Sequence, residues 1–314
     1  MSSRSPILGL HHVTATVDDA QEDVDFSVGA LGLRLVKKTV NFDNHFVYHF
    51  YYGDEVGHPG TIWTTFPYKD KGVPVGTKGA GQITVTSFSV PAGSLDAWKA
   101  RLRSDGLVVV DAPPRFGEQS VLVTDPSGLV IELVANDRDT RTPWSVDGID
   151  PRIAIRGLHS VSLTVREPRK TVEFMREMLG FEVVNEMEGR TRVAVGTDGP
   201  GHLMDVVHAG DSDWARNGLG TVHHVAMAIG SEAEQLELRE ELVGRANVTP
   251  VRDRQYFKSI YFREPGGVLF EVATMRPGFA VDEPVADLGR GLKLPPWEEP
   301  HRAEIATHLP NVTY

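Results

Sequence analysis

Two pairs of adjacent histidines and one glutamate are the residues of this chain whose types could do chemistry. His11-His12 lies near the N-terminus, His223-His224 lies far along the chain, and Glu271 follows the second pair. Each lies in a short, mostly apolar segment that is typical of a β-strand. Two histidines and one carboxylate form a facial triad for a divalent metal, most often non-haem Fe(II), and leave coordination positions open. If one metal binds all three, the two ends of the chain must fold together.

Strand periodicity separates the two histidines of each pair. Neighbouring side chains along a strand point to opposite faces of the sheet. Counting back from the apolar end of each strand puts His12 and His224 in one shared phase, so we expect these two to bind the metal. His11 and His223 are then expected on the other face or at the pocket edge. Glu271 stands among apolar strand residues, where a carboxylate needs a partner or a metal.

The elements that must position these residues recur as four copies of one unit. Each copy has a strand, a helix that begins at a cap-type residue or proline and ends near a glycine, and three shorter strands. The units span 7–68, 79–136, 156–208 and 221–274. The predicted helices span 18–31, 94–104, 168–179 and 231–242. The last strand of each unit carries an acidic position, which in unit one is occupied by Thr64.

The two middle units lack the histidines. Val85 and Ser160 stand where units one and four have His12 and His224. One carboxylate without histidines is a poor metal site, so we expect Glu132 and Asp205, at the acidic positions of units two and three, to be structural or salt-bridged.

A single unit cannot bury both faces of its sheet, so the units must pair. A shared metal requires unit one to pair with unit four, which leaves unit two for unit three. The prediction is an α+β fold of four βαβββ units in two barrels. A linker is expected over 136–156, and an extended C-terminal tail over 275–314, with Trp297 as its anchor.

Composition limits the partners. Among 314 residues, 40% are hydrophobic and 24% are charged, as expected of a globular protein. The net charge of −11 argues against nucleic acid and membrane surfaces. The chain has no cysteine, which excludes disulfides and thiolate metal sites and fits a reducing cytoplasm. No apolar run has the length of a signal-peptide core or a membrane span. The composition leaves open whether the protein forms a homo-oligomer.

The segments Leu10–Val13 and Gly266–Glu271 resemble the opening and closing motifs of the vicinal oxygen chelate superfamily, which includes glyoxalases and extradiol dioxygenases. Within it, the chain looks most like the hydroquinone ring-cleaving dioxygenases of the dichlorohydroquinone dioxygenase type. The first histidine pair in unit one, Arg254 and Tyr261 upstream of the glutamate, and the tail segment 294–297 carry this resemblance.

The resemblance implies an extradiol-type, ring-cleaving dioxygenase that uses Fe(II), or alternatively Mn(II), a small hydroquinone-type aromatic and O₂. Zn or Ni could displace iron in vitro. The implied metal ligands are His12, His224 and Glu271; the implied catalytic residues are His223, Tyr261 and Arg254; the implied substrate-binding residues are His11 and Thr14. The alternatives are a surface arginine for Arg254 and an ordinary strand aromatic for Tyr261.

Two other functions remain open for this fold. A glyoxalase-like lyase or isomerase with Zn or Ni generally needs a second carboxylate, and Thr64 stands at that position. A non-catalytic binding protein usually lacks the triad. The remaining histidines of unit one, which are His45, His49 and His58, are expected at the core edge or in the substrate wall rather than as ligands.

Overall fold

The structure, a computed structural model, describes residues 5–314. In unit one the elements are β1 (Ile7–Val17), α1 (Ala20–Val24) with a following π-helical turn (Asp25–Ala30), β2 (Arg34–Asn41), β3 (Asn44–Gly53) and β4 (Ile62–Pro67). In unit two they are β5 (Gln82–Val90), α2 (Leu95–Ser104), β6 (Val109–Asp111), β7 (Ser120–Thr124) and β8 (Val130–Ala135).

The second half repeats this order. In unit three the elements are β9 (Gly157–Val165), α3 (Pro168–Leu179), β10 (Glu182–Met187), β11 (Arg190–Ala194) and β12 (Leu203–His208). In unit four they are β13 (Thr221–Ile229), α4 (Glu232–Leu242), β14 (Arg252–Asp253), β15 (Lys258–Arg263) and β16 (Leu269–Thr274).

The strands form two eight-stranded sheets, each built from two units. The first has the order β14-β15-β16-β13-β1-β4-β3-β2, and the second has the order β10-β11-β12-β9-β5-β8-β7-β6. Unit one therefore pairs with unit four and unit two with unit three, which confirms the predicted fold. The shared requirement for one metal was sufficient to predict this crossed pairing.

The centre of the first sheet holds the histidine strands. β1 and β13 are antiparallel, with Thr14 opposite His224 and His12 opposite Ala226. β13 is parallel to β16, where Ala226 stands opposite Glu271. Because neighbouring strands lie only about 4.8 Å apart, this register places the three predicted ligands side by side.

Local sequence signals set the helix ends. Asp19 caps α1 by accepting from the backbone N–H groups of Gln21 at 2.7 Å and Glu22 at 3.0 Å. Ser231 caps α4 by accepting from the Glu234 N–H at 3.2 Å. These hydroxyl and carboxylate caps satisfy donors that have no partner within the helix. Gly180 ends α3 with a φ of 69°, a left-handed conformation that suits glycine.

The second sheet balances its acidic positions with arginines. Glu132 is paired with Arg115, and Asp205 lies 2.7 Å from Arg192 and 2.8 Å from Arg190. Both carboxylates are almost fully buried. They are therefore salt-bridged, as the missing histidines of these units predicted.

The tail departs from its prediction in two respects. It is not extended throughout, because it contains three short 3₁₀ segments and the helix α5 (Arg302–His308). Trp297 is not the main anchor, since it is 44% exposed and only touches Phe42 edge-on at 5.6 Å. Leu294 and Ile305 are the buried anchors and pack with Val40 of β2.

A buried ion pair also fastens the tail to the sheet. The Nζ of Lys37 lies 2.6 Å from Asp282 and 2.7 Å from Glu283, with the lysine fully buried. None of the helices within residues 5–314 is long and apolar enough to cross a membrane.

Candidate metal centre

Three buried side chains converge at the centre of the first sheet. Glu271 Oε2 lies 2.8 Å from His224 Nε2 and 3.3 Å from His12 Nε2, and the two Nε2 atoms are 3.3 Å apart. All three residues are at most 5% exposed. The structure thus brings together the three residues that the sequence predicted as ligands.

The geometry of this group fits a divalent cation. Glu271 Oε2 is buried and has no hydrogen-bond partner with acceptable geometry, although both imidazoles lie close to it. When neither Nε2 atom carries a proton, three lone pairs face one another, which is unfavourable without a cation between them. Three ligands on one face of an octahedron, with bonds of about 2.1 Å, would be about 3.0 Å apart. The observed separations agree with that value.

Each ligand histidine is held by its neighbour in the dipeptide. His12 Nδ1 lies 2.9 Å from His11 Nδ1, and His224 Nδ1 lies 2.8 Å from His223 Nδ1. If Nε2 offers its lone pair to a metal, Nδ1 carries the proton and donates it to the neighbour. This assignment of tautomers follows from the hydrogen-bond network. Such partners fix the ring orientation of a ligand and raise its basicity.

Burial keeps the two supporting rings neutral and therefore able to accept. Burial, with a smaller effect from His12, lowers the pKa of His11 to about 3. Burial and then His224 lower the pKa of His223 to about 3 in the same way. The repeated dipeptide thus supplies one candidate ligand and one acceptor in each half of the site.

The glutamate is held from its other oxygen. Ser259 Oγ, on the neighbouring strand β15, donates to Glu271 Oε1. Burial by itself would raise the pKa of Glu271, but the two ligand histidines outweigh it and hold that pKa well below its usual range. The carboxylate is therefore ionised and directs Oε2 at the imidazoles.

The three ligands open into a cavity of about 220 Å³. Its walls come from both units of the sheet, with aromatic side chains on each. Besides the ligands, the lining residues are Asn41, Phe42, Asp43, His49, Tyr51, Phe66, Tyr68, His223, Arg254, Phe257 and Tyr261.

Arg254 and Tyr261 form the polar part of the unit-four wall. Arg254 Nε donates to the Tyr261 hydroxyl at 3.0 Å, and its Nη2 donates to Asp43 at 2.9 Å. Burial, reinforced by the charge of Glu271, raises the pKa of Tyr261 above its ordinary value. The phenol therefore keeps its proton, and since its oxygen accepts from Arg254, that proton is available to a ligand in the cavity.

The structure separates the remaining predicted site residues. His223, Tyr261 and Arg254 line the cavity, whereas His11 and Thr14 are not among its lining residues. His11 is 2% exposed and lies between His12 and the ring of Phe257, 5.0 Å away. Thr14 is fully buried and accepts a hydrogen bond from Thr64 at 3.1 Å. The predicted substrate contacts of these two residues stay a prediction.

The sequence did not single out two residues that matter here, and it left the place of a third open between two alternatives. Asp43 reaches Arg254 from the tip of the β2–β3 hairpin, and no local signal marks that contact. Ser259 stands two residues before Tyr261, so strand periodicity places it on the same face. His49 was expected at the core edge or in the substrate wall, and it lines the cavity.

Known proteins resemble this chain over most of its length. The model of the family described as the Glyoxalase/Bleomycin resistance protein/Dioxygenase superfamily matches residues 9–133 and 157–272. MhqE of Bacillus subtilis (strain 168), provisionally named a ring-cleaving dioxygenase, is 41% identical over 97% of this chain and 99% of its own length. The chlorohydroquinone/hydroquinone 1,2-dioxygenase of Sphingobium indicum is 36% identical over 95% of this chain and 94% of its own.

Solved structures show the same fold. A crystal structure of a provisionally assigned dioxygenase from Bacillus subtilis superimposes with a TM-score of 0.94 at 39% identity and covers 99% of both chains. Glyoxalase I from Zea mays superimposes with a TM-score of 0.64 at 14% identity over 85% of this chain and 92% of its own. The second likeness concerns the fold alone.

Proposed function

This chain belongs to the Glyoxalase/Bleomycin resistance protein/Dioxygenase superfamily, and on that basis we propose that it is an Fe(II)-dependent dioxygenase that cleaves the ring of a hydroquinone-type aromatic. The observation that carries the proposal is the set of three buried, converging ligand atoms of His12, His224 and Glu271 at the floor of a cavity. The relative named as a chlorohydroquinone/hydroquinone 1,2-dioxygenase supports the substrate class.

The ligand set favours a dioxygenase over a lyase or isomerase. Unit four offers Glu271 at its acidic position, whereas unit one offers Thr64, which is fully buried and bonded to Thr14. A protein that supplies only three ligands leaves adjacent positions for two reactants. When bound, a redox-active metal would supply polarisation of a phenolic oxygen and a binding site for O₂.

The cavity suits a single aromatic ring. Its volume of about 220 Å³ is below the roughly 300–1,000 Å³ of sites for drug-sized ligands. Phe66 and Tyr51 on the unit-one wall and Phe257 on the unit-four wall offer faces and edges for such a ring. The hydroxyls of a hydroquinone are para to each other, so only one can approach the metal centre and the other must meet protein groups.

The residues of the unit-four wall act as hydrogen-bond donors. Arg254 is a fixed positive charge, Tyr261 holds a proton that it can direct into the cavity, and His223 carries its proton on Nε2 when Nδ1 accepts from His224. Donors fixed in a partly desolvated site stabilise the negative charge that develops on oxygen during the reaction. We propose an extradiol-type outcome, in which the ring opens beside a hydroxylated carbon and both atoms of O₂ enter the product.

The test is anaerobic loading with Fe(II), followed by O₂-uptake measurements with hydroquinones and with catechols. We expect uptake with a hydroquinone, and we expect His12→Ala to abolish both iron retention and uptake. Stoichiometric iron without O₂ consumption on any of these phenols would refute the proposal. Failure to retain any metal would instead favour a non-catalytic binding protein. The cytoplasmic location, the absence of nucleic-acid and membrane partners and homo-oligomer formation stay predictions.

A further inference from the structure

His49 stands at a position related to that of Ser259 by the internal repeat. Tyr51 of β3 pairs with Thr64 of β4, just as Tyr261 of β15 pairs with Glu271 of β16. Two residues before each tyrosine, on the same face, lie His49 and Ser259. Ser259 donates to Glu271, and His49 Nε2 lies 2.7 Å from Thr64 Oγ1. Both residues therefore hold the side chain at the acidic position of their own unit.

The hydrogen bonds around Thr64 assign one tautomer to His49. Thr64 Oγ1 donates its proton to Thr14 Oγ1 at 3.1 Å. The same oxygen can then only accept from His49, so Nε2 of His49 carries the ring proton. Burial, followed by the charges of His12 and His224, lowers the pKa of His49 well below its ordinary value, so the ring is neutral. Nδ1 is consequently a lone-pair acceptor on a ring that lines the cavity.

Apart from the Tyr51 hydroxyl, the other polar side chains of the cavity wall are donors or already accept a hydrogen bond, as Tyr68 does from Asn41 at 2.9 Å. Arg254 and Tyr261 present donors, and His223 presents its Nε2 proton. Asn41 Oδ1 accepts from the Asp43 N–H at 2.9 Å, and the Asp43 carboxylate is paired with Arg254 at 2.9 Å. A phenolic hydroxyl that does not bind a metal keeps its proton and needs an acceptor in a partly desolvated site. His49 is on the unit-one wall, opposite the donors of unit four.

We propose that Nδ1 of His49 accepts a hydrogen bond from the second hydroxyl of the substrate and thereby selects rings with two para hydroxyls. This inference rests on the proposed function, because it takes a hydroquinone as the ligand of the cavity. It assigns His49 a contact with substrate in addition to its hydrogen bond with Thr64.

Two isosteric variants separate these two contacts. The amide of glutamine reaches the position of a histidine Nε2, so His49→Gln keeps the bond to Thr64 and loses the Nδ1 acceptor. The amide of asparagine reaches the position of Nδ1, so His49→Asn keeps an acceptor at the cavity and loses the hydrogen bond to Thr64. His45→Gln is the matched control, since His45 lies on the same strand but bonds Glu298 outside the cavity lining.

The measurement is the binding of hydroquinone and of 4-methylphenol to the Fe(II)-loaded protein under argon, by isothermal titration calorimetry. The ratio of the two dissociation constants measures how much the second hydroxyl contributes to binding. We expect His49→Gln to reduce the preference for hydroquinone by about 3- to 10-fold, the value of one hydrogen bond. We expect His49→Asn and His45→Gln to retain the preference. Thermal unfolding and iron content of each variant establish that the fold and the metal site persist.

A preference that is unchanged in His49→Gln, or that is lost in His49→Asn but kept in His49→Gln, would overturn the inference in favour of a purely structural bond to Thr64. Failure of the wild-type protein to prefer hydroquinone over 4-methylphenol would overturn it as well. A third result would separate the two proposals. If the wild-type protein prefers hydroquinone but consumes no O₂, and if His49→Gln loses the preference, the proposed reaction would be refuted and the role of His49 would be supported.

Discussion

Replacement of His11 tests whether this residue supports the candidate ligand His12 or contacts the substrate. His11 Nδ1 lies 2.9 Å from His12 Nδ1, and His11 is not a lining residue of the cavity. Removing a hydrogen-bond partner of a metal ligand typically lowers metal affinity about 10- to 100-fold, which corresponds to about 1.4–2.7 kcal/mol. His11→Phe should therefore weaken iron binding by this factor and leave the KM for the aromatic substrate nearly unchanged.

Asparagine provides the matched control for this change. The amide oxygen of His11→Asn can take the position of Nδ1 and accept from His12, so this variant should recover most of the affinity that His11→Phe loses. Competition with a fluorescent chelator under argon measures iron affinity, and O₂ uptake at full iron occupancy measures KM. A His11→Phe protein with wild-type iron affinity and a raised KM would refute the reasoning and restore the substrate contact that the sequence predicted.

Three further predictions concern stability and the ligand set. Burial raises the pKa of Asp23 to about 7, so the folded state holds this proton more tightly and the free energy of unfolding should fall between about pH 4 and pH 7. Denaturant titrations at pH 5 and pH 8 cover about two pH units of this range, so Asp23→Asn should remove on the order of 3 kcal/mol of the difference between the two pH values. The same difference in unfolding free energy for both proteins would contradict this. Arg115→Met leaves Glu132 buried without its partner and should cost about 3–5 kcal/mol in urea unfolding, whereas the exposed Arg152→Met should cost less than about 1 kcal/mol. Thr64→Glu should add a fourth ligand, so the protein should keep stoichiometric metal by elemental analysis but lose O₂ uptake; undiminished uptake would show that this position does not face the metal.

Local periodicity accounts for what the sequence predicted about the metal centre. Alternation along β1 and β13 distinguished His12 and His224 from their neighbours, and the common requirement for Glu271 then determined which units pair. Both steps require only that side chains alternate along a strand and that all three residues bind one metal ion. The same periodicity, applied two residues before Tyr261, would also have found Ser259.

Contacts between distant segments account for what the sequence did not predict. The unit-one wall depends on how the β2–β3 hairpin folds across the cavity to bring Asp43 to Arg254. Nothing in the local sequence around either residue specifies that encounter. The helix Arg302–His308 was missed because Pro300 and Pro310 surround a segment too short for a clear helical period. The strength of a short helix comes from tertiary packing, here from Ile305.

The two sheets differ in how their buried carboxylates are neutralised. Each sheet buries carboxylates within the last strands of its units, where these strands pair in parallel with the first strands, and a buried carboxylate needs a nearby positive charge. In the second sheet the chain supplies that charge through Arg115 and Arg192, which occupy the space around Glu132 and Asp205. In the first sheet no arginine within residues 5–314 reaches Glu271, and the Nε2 atoms of His12 and His224 face its Oε2 at 3.3 Å and 2.8 Å, so a cation bound between the three side chains would supply the compensating charge. The same repeat therefore yields closed structural ion pairs in one half and a candidate metal centre that opens into a cavity in the other.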